Sequence, residues 1–224
     1  FKNASKIADV VFFPPVIFLS DLKKNFKNIN FGVQNISDFA EGAHTGEISA
    51  LQAQGMGASF VIVGHSERRA SRGKNGETNE QIAIKLKLAH KYKLKPIVCV
   101  GEDSREGDGD YHNFVKEQLL ASLSGLSKNE IMRTVIAYEP VWALSTTVGK
   151  KESYPRDSLE MSIYIRKVLS DKYGRDVGNK TKIIYGGSVD DKNAESFLKE
   201  GGVTGLLPGR SGLDYKKAGK ILEA

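Results

Sequence analysis

The sequence is poor in the residues that build crosslinks and metal clusters. One cysteine, Cys99, occurs in 224 residues, which excludes an intrachain disulfide framework and a cysteine-based metal cluster and suits a reducing, cytoplasmic compartment. No apolar run approaches the roughly 20 residues needed to span a bilayer. Blocks of like charge are missing too. The net charge of +6 is scattered over pieces such as "DLKKNFKN", "KLKLAHKYKLK" and "YKKAGK", with no interleaved aromatics. Such pieces read as solvated helix faces, so neither nucleic acid nor membrane is an expected partner. A modest positive field instead suits the steering of a small anionic substrate towards a cleft. His44, His90 and His112 are not spaced as ligands, and no metal is expected. The sequence opens at Phe1 and not at methionine, so a preceding segment is expected and targeting signals are left open.

What the sequence does contain is a repeated alternation. Short, nearly continuous apolar runs recur at "ADVVFF" (Ala8 to Phe13), "INFGVQ" (Ile29 to Gln34), "SFVIVG" (Ser59 to Gly64) and "PIVCVG" (Pro96 to Gly101). They continue at "TVIAYE" (Thr134 to Glu139), "KIIYGG" (Lys182 to Gly187) and "TGLLPG" (Thr204 to Gly209). Continuous hydrophobicity without alternation predicts parallel strands buried on both faces. Between them, "TNEQIAIKLKLAHKY", "YHNFVKEQLLASL" and "SLEMSIYIRKVLSDKYG" have helical spacing, with Ile82, Leu86 and Ala89 on one stripe and Gly174 as a helix stop. The βαβα order calls for an α/β fold with a parallel sheet and right-handed crossovers in a single domain. Seven readable strands fit either a barrel short of one strand or an open doubly wound sheet.

Polar groups cluster where the strands end, the ligand face of such folds. Glu139 ends a buried strand and is followed by Pro140. It reads either as a structural carboxylate paired with an arginine or as a general base whose proton affinity is raised by desolvation. His65 stands in "VIVGHSERR", before a polar run able to open a helical turn. A helix N-terminus there favours a neutral imidazole that can polarise a carbonyl oxygen, although a capping histidine is the plainer reading. Glu67 is either a neighbour of that histidine or a partner of Arg68 or Arg69. The ends "YGGSVDD" and "LPGRSGL" offer backbone amides with no Cβ in the way, and two such turns at the last two strand ends suit a phosphate. Glu102 and Asp103 could form an acid pair, but "GEDSREGDGD" reads as a solvated loop.

Taken together, "GHSERR" (Gly64 to Arg69), "AYEPVWA" (Ala137 to Ala143) and "YGGSV" (Tyr185 to Val189) closely resemble the triosephosphate isomerase family, with "GVQN", "GAHTGEIS" and "CVGE" in order between them. The resemblance implies a (β/α)8 TIM barrel, interconversion of dihydroxyacetone phosphate and glyceraldehyde 3-phosphate, and no cofactor. By the same resemblance Glu139 moves the proton and neutral His65 stabilises the enediolate. Ser66 holds the resting base, and Glu67 organises the electrostatics. Asn35, Ser145, Gly187, Ser188, Gly209 and Arg210 match the substrate and phosphate contacts, while Pro140, Val141, Trp142 and Tyr185 match the lid and its support. His44, Thr45 and Glu47 lie in the loop that implies a homodimer.

Three departures from the family pattern stand out. Its opening strand, with an asparagine and a phosphate-facing lysine, has no counterpart, so the first strand and most of the first helix are expected to be absent from this sequence. Asn35 and Glu67, neighbours of that lysine in the family, are then expected to lack their partner. The lid has Ser145-Thr146-Thr147 in place of Gly-Thr-Gly, with extra residues before Tyr154-Pro155. The late phosphate loop has Pro208 and Arg210 where valine and glycine are usual; proline removes an amide donor and Arg210 adds a cation. The competing readings are a catalytically impaired phosphate-binding or assembly barrel and another sugar-phosphate enzyme.

Overall fold

The computed structural model describes residues 8–69, 76–105 and 110–224. The expected remnant of a first helix at the start of the chain, and residues 106–109 of "GEDSREGDGD", lie outside the described residues. Along the chain the elements are β1 (Val11–Phe12), α1 (Leu19–Asn25), β2 (Asn30–Val33), α2 (Ala50–Gly55), β3 (Phe60–Val63), α3 (Ser66–Arg69), α4 (Asn79–Lys91) and β4 (Lys95–Val100). They continue with α5 (Tyr111–Ser122), α6 (Lys128–Arg133), β5 (Val135–Tyr138), α7 (Pro155–Tyr173), α8 (Arg175–Lys180), β6 (Ile183–Tyr185), α9 (Ala194–Glu200) and α10 (Tyr215–Glu223). No described helix is long and apolar enough to cross a membrane.

These elements fall into two compact units, residues 2–98 with 121–134, and residues 99–120 with 135–224. In the first, β1, β2, β3 and the start of β4 pair in chain order, all parallel, with Val11 opposite Asn30, Gly32 opposite Phe60 and Ile62 opposite Ile97. The expected continuous runs pack there: Phe31, Val33, Val61, Val63, Ile97 and Val98 are all buried. Ile82, Leu86 and Ala89 form the buried stripe of α4, as their spacing predicts, but Lys85 and His90 are buried on the same helix. Reciprocal caps start three helices. Ser49 with Gln52, Thr78 with Gln81 and Ser127 with Glu130 each exchange side-chain and backbone bonds, satisfying amides that the first helical turn leaves without partners.

In the second unit the end of β4, β5 and β6 are again parallel. The Glu139 amide donates to the Val100 carbonyl at 2.8 Å, and Ile136 to Tyr138 pair with Ile183 to Tyr185. Helix α7 opens with Pro155 at its first position and stops at Gly174, whose φ of +103° is the glycine stop expected from the sequence. The run "TGLLPG" is shorter as a strand than expected. It forms only one bridge, Leu206 to Tyr185, flanked by bonds from Tyr185 to Gly205 and from Leu207 to Tyr185. Pro208 then ends the ladder, since it has no N–H to give. In both units the carboxyl ends of the strands deliver the candidate residues: Asn35 and His65 in the first, and Glu102, Glu139 and Gly186 in the second.

Candidate active site

In the first unit, His65 follows β3 by one glycine. Gly64 has φ +69°, and a Cβ there would approach Ile82 Cδ1 to 2.9 Å, so the strand turns into α3 through a residue that needs no side chain. The amides of Arg68 and Arg69 both donate to the His65 carbonyl, at 2.8 and 3.0 Å, and close the turn. That turn aims the Glu67 amide at the imidazole: Glu67 N–H donates to His65 Nδ1 at 3.2 Å. A backbone amide is always a donor, so Nδ1 carries the lone pair and the ring proton sits on Nε2. Ser66 is buried beside it, and Glu67 is exposed.

Glu67 has no salt bridge among the described residues, because both arginines turn elsewhere. Arg68 binds Glu77 at 2.6 Å, and Arg69 reaches the Gly64 carbonyl, Asn79 and Ser122. Sequence reasoning missed the group behind them. Lys85, 3% exposed, donates to Glu77 at 2.7 Å and to Asn35 Oδ1 at 3.0 Å. Asn35, expected to lack its cationic partner, therefore has one from α4. The available signal was a lysine three residues after Ile82, on the apolar stripe of its own helix. Further along the unit, His44 stacks on Phe39 with ring centroids 3.7 Å apart, its carbonyl accepts the Glu47 amide, and Thr45 is exposed.

The second unit holds the acid. Glu139 is 2% exposed, directly after β5. Gly101 makes room for it, since a Cβ there would lie 1.8 Å from the Glu139 carbonyl oxygen. Gly186, after β6, does so from the other strand, where a Cβ would lie 2.9 Å from Glu139 Cγ. Pro140 leads into a short turn, Val141–Ala143, that carries Trp142.

Beneath that turn lies a network that corrects the reading of "GEDSREGDGD" as a solvated loop at Glu102 and Arg105. Glu102 is 1% exposed, and its Oε1 accepts from Tyr138 Oη at 2.8 Å, Trp142 Nε1 at 2.9 Å and Arg105 Nε at 2.8 Å. Arg105 also binds Glu160 at 2.9 Å and the Asp157 carbonyl at 3.1 Å, and stacks 5.5 Å from the Trp142 ring. Burial, followed by the Glu102 carboxylate, holds the Tyr138 phenol well above its ordinary range, so it remains a donor. Asp103 and Ser104 are exposed as expected, but Glu102, two residues beyond the strand end, is covered by partners from β5 and its turn.

The segment that follows Trp142 meets both glycine-bearing loops within this unit. Ser188 Oγ donates to the Ala143 carbonyl at 2.7 Å. Arg210 Nε donates to Ser145 Oγ at 3.1 Å, and its Nη2 to the Ser145 carbonyl. Ser211 Oγ donates to the Val189 carbonyl, tying the two loops together. A Cβ at Gly187 would fall 2.1 Å from Tyr185 Oη, whereas Gly209 has open space around it. Tyr185 itself is fully buried and stacked on Phe197, and burial pushes its phenol up to about 12.

Known proteins match this chain along nearly all of its length. A family model described as triosephosphate isomerase matches residues 1–224. A triosephosphate isomerase of Caldanaerobacter subterraneus is 38% identical over 96% of this chain and 86% of its own length, and one of Dictyoglomus turgidum is 39% identical over 95% and 86%. The crystal structure of triosephosphate isomerase from Bartonella henselae superposes with a TM-score of 0.83 at 31% identity, covering 95% of this chain and 85% of that one. That match selects the TIM barrel over the open sheet. On the full-length family match and these relatives, the chain belongs to the triosephosphate isomerase family.

Proposed function

We propose that Glu139 and His65 carry the aldose–ketose isomerisation of the family in this chain. The Glu139 carboxylate removes a proton from C1 of dihydroxyacetone phosphate, and the electron pair moves to the C2 carbonyl oxygen to give an enediolate. His65 Nε2–H faces the developing oxyanion. The C1 hydroxyl proton then passes to the C2 oxygen beside His65, and the Glu139 carboxyl group returns its proton to C2, leaving the C1 aldehyde of glyceraldehyde 3-phosphate. One observation supports this reading above the others: His65 Nδ1 already accepts the Glu67 amide, which fixes the ring as an Nε2 donor before any substrate is bound. Ser66 and Glu67 position that ring and the base, and Asn35 takes part in substrate binding.

Phosphate recognition falls to the amides around Ser145, Gly187, Ser188, Gly209 and Arg210. Pro140, Val141 and Trp142 hinge the lid, and Tyr185 supports it. The loop bearing His44, Thr45 and Glu47 inserts into a second copy in a homodimer; exposure of Phe39 at 47% supports a buried role for that face on assembly. A cytoplasmic location accords with the family.

The test is a coupled isomerase assay together with loss of substrate C–H hydrogen to deuterated solvent. Glu139→Gln is expected to lower kcat by about 10²–10⁴-fold, the range for removing a positioned base. His65→Gln is expected to lower it by about 10²–10³-fold, the range for removing an oxyanion donor. A well-folded wild-type protein without isomerase activity would overturn the proposal.

A further inference from the structure

Arg210 is more than a loop residue with a usable amide. Two of its five N–H groups are taken by Ser145, at Oγ and at the carbonyl, and both acceptors are neutral. Among the described residues no carboxylate pairs with it, so the cation keeps its full charge on an exposed face. Arg68 and Arg105, by contrast, both end on carboxylates. Arg210 also stands where two loops and the lid converge. Ser188 holds the Ala143 carbonyl, Arg210 holds the Ser145 carbonyl, and Ser211 ties the loops to each other.

We propose that the Arg210 guanidinium is a phosphate-recognition group that also couples the lid to phosphate binding. Its remaining N–H groups form a planar fork suited to phosphate oxygens, while the bonds to Ser145 carry the lid segment with it. The inference rests on the isomerase reading for its ligand, a triose phosphate, and extends it: the grip is assigned a charged side chain in addition to backbone amides. An uncompensated cation binding a dianion makes the affinity fall with ionic strength. The tie to Ser145 makes the lid respond when the anion binds.

The experiment uses the full chain with inorganic phosphate as the probe. Phosphate is titrated by inhibition of the isomerase and, independently, by emission of Trp142, the only tryptophan. Arg210→Gly and Arg210→Gln are expected to weaken phosphate and raise KM by about tenfold, the scale of one charge-assisted hydrogen bond. They are also expected to flatten the salt dependence and reduce the phosphate-induced change in Trp142 emission. Arg210→Lys restores the charge without the fork and should recover part of the affinity. If the wild type is active and both neutral variants keep KM, phosphate inhibition and salt dependence within twofold, the inference is overturned and the isomerase reading stands. If the wild type is inactive, that reading fails, and the emission titration still decides whether Arg210 binds phosphate.

Discussion

Gly101→Ala tests whether the position of Glu139 depends on the strand beside it. The new methyl would sit 1.8 Å from the Glu139 carbonyl oxygen, 2.5 Å from its carbonyl carbon and 3.3 Å from its Cα. These are backbone atoms, so no side-chain rotation relieves the clash. Real Cβ contacts essentially never fall below 3.0 Å, so the two segments must part by about 1.2 Å. Both are held. Gly101 N–H donates to the buried Gln118 at 2.8 Å, and Glu139 N–H donates to the Val100 carbonyl at 2.8 Å. Overpacking of this kind costs about 1–3 kcal/mol. A catalytic group displaced by about 1 Å loses about a hundredfold in rate. Urea unfolding and kcat/KM in the coupled assay should therefore both respond, with activity falling further than the folded fraction. Gly219→Ala is the control: nothing lies within 4 Å of its Cβ position on α10, so it should stabilise by about 0.5–1 kcal/mol and leave activity unchanged. A Gly101→Ala protein with wild-type midpoint and kcat/KM within threefold would refute the reasoning.

Three further outcomes are expected. Thr134 Oγ1 gives its proton to the Glu130 carbonyl, so His90 Nε2 must donate to Thr134, and protonating the buried Nδ1 is opposed. Burial lowers the His90 pKa, the attraction of Glu130 counters it and Arg133 adds to it. The unfolded chain then binds more protons below its own pKa of about 6.5, so stability is full above that value and is lost as pH falls through the lower folded pKa. Urea midpoints from pH 7.5 to 5.5 should fall, and His90→Gln should remove part of the slope; an equal slope would count against the assignment. Lys93 has φ +60° after α4, and relief of an αL cost of about 1–2 kcal/mol exceeds the added chain entropy of glycine, so Lys93→Gly should raise stability by up to about 1 kcal/mol in thermal melts. Glu102→Gln removes the charge beneath Trp142; a loss of about 1–3 kcal/mol in urea, with a shift of tryptophan emission, is expected, and an unchanged spectrum would contradict the network.

The strands were legible because parallel strands buried on both faces leave continuous apolar runs, and six of the seven runs form them. The seventh fell short for a local reason, Pro208. Glycine stops and polar strand ends were equally legible, and they delivered Gly174, His65 and Glu139. What stayed hidden depends on distant partners. Glu102 is buried by Tyr138, 36 residues later on β5, and by Trp142, 40 residues later in the turn that follows, and no local window contains them. Lys85 looked like one more solvated lysine because its carboxylate, Glu77, lies ahead of the helix, eight residues back. Local pattern thus located the ends of the strands, while the network beneath the Val141–Ala143 turn became visible only in three dimensions.

The holds on the proposed lid segment bear on how its sequence can change. Ser188 and Arg210 grasp the carbonyls of Ala143 and Ser145, and the Lys151 amide returns to the carbonyl of Trp142. Carbonyls are supplied by every residue type, so this part of the anchorage is blind to the side chains it holds, while the hydroxyls of Ser145 and Thr147 add holds that depend on residue type. Mutational drift along "LSTTVGKK", or deliberate randomisation of it, can therefore proceed while the segment stays docked. The side chains on which the docking depends are instead those of the two grasping residues, which sit in loops far away in the chain.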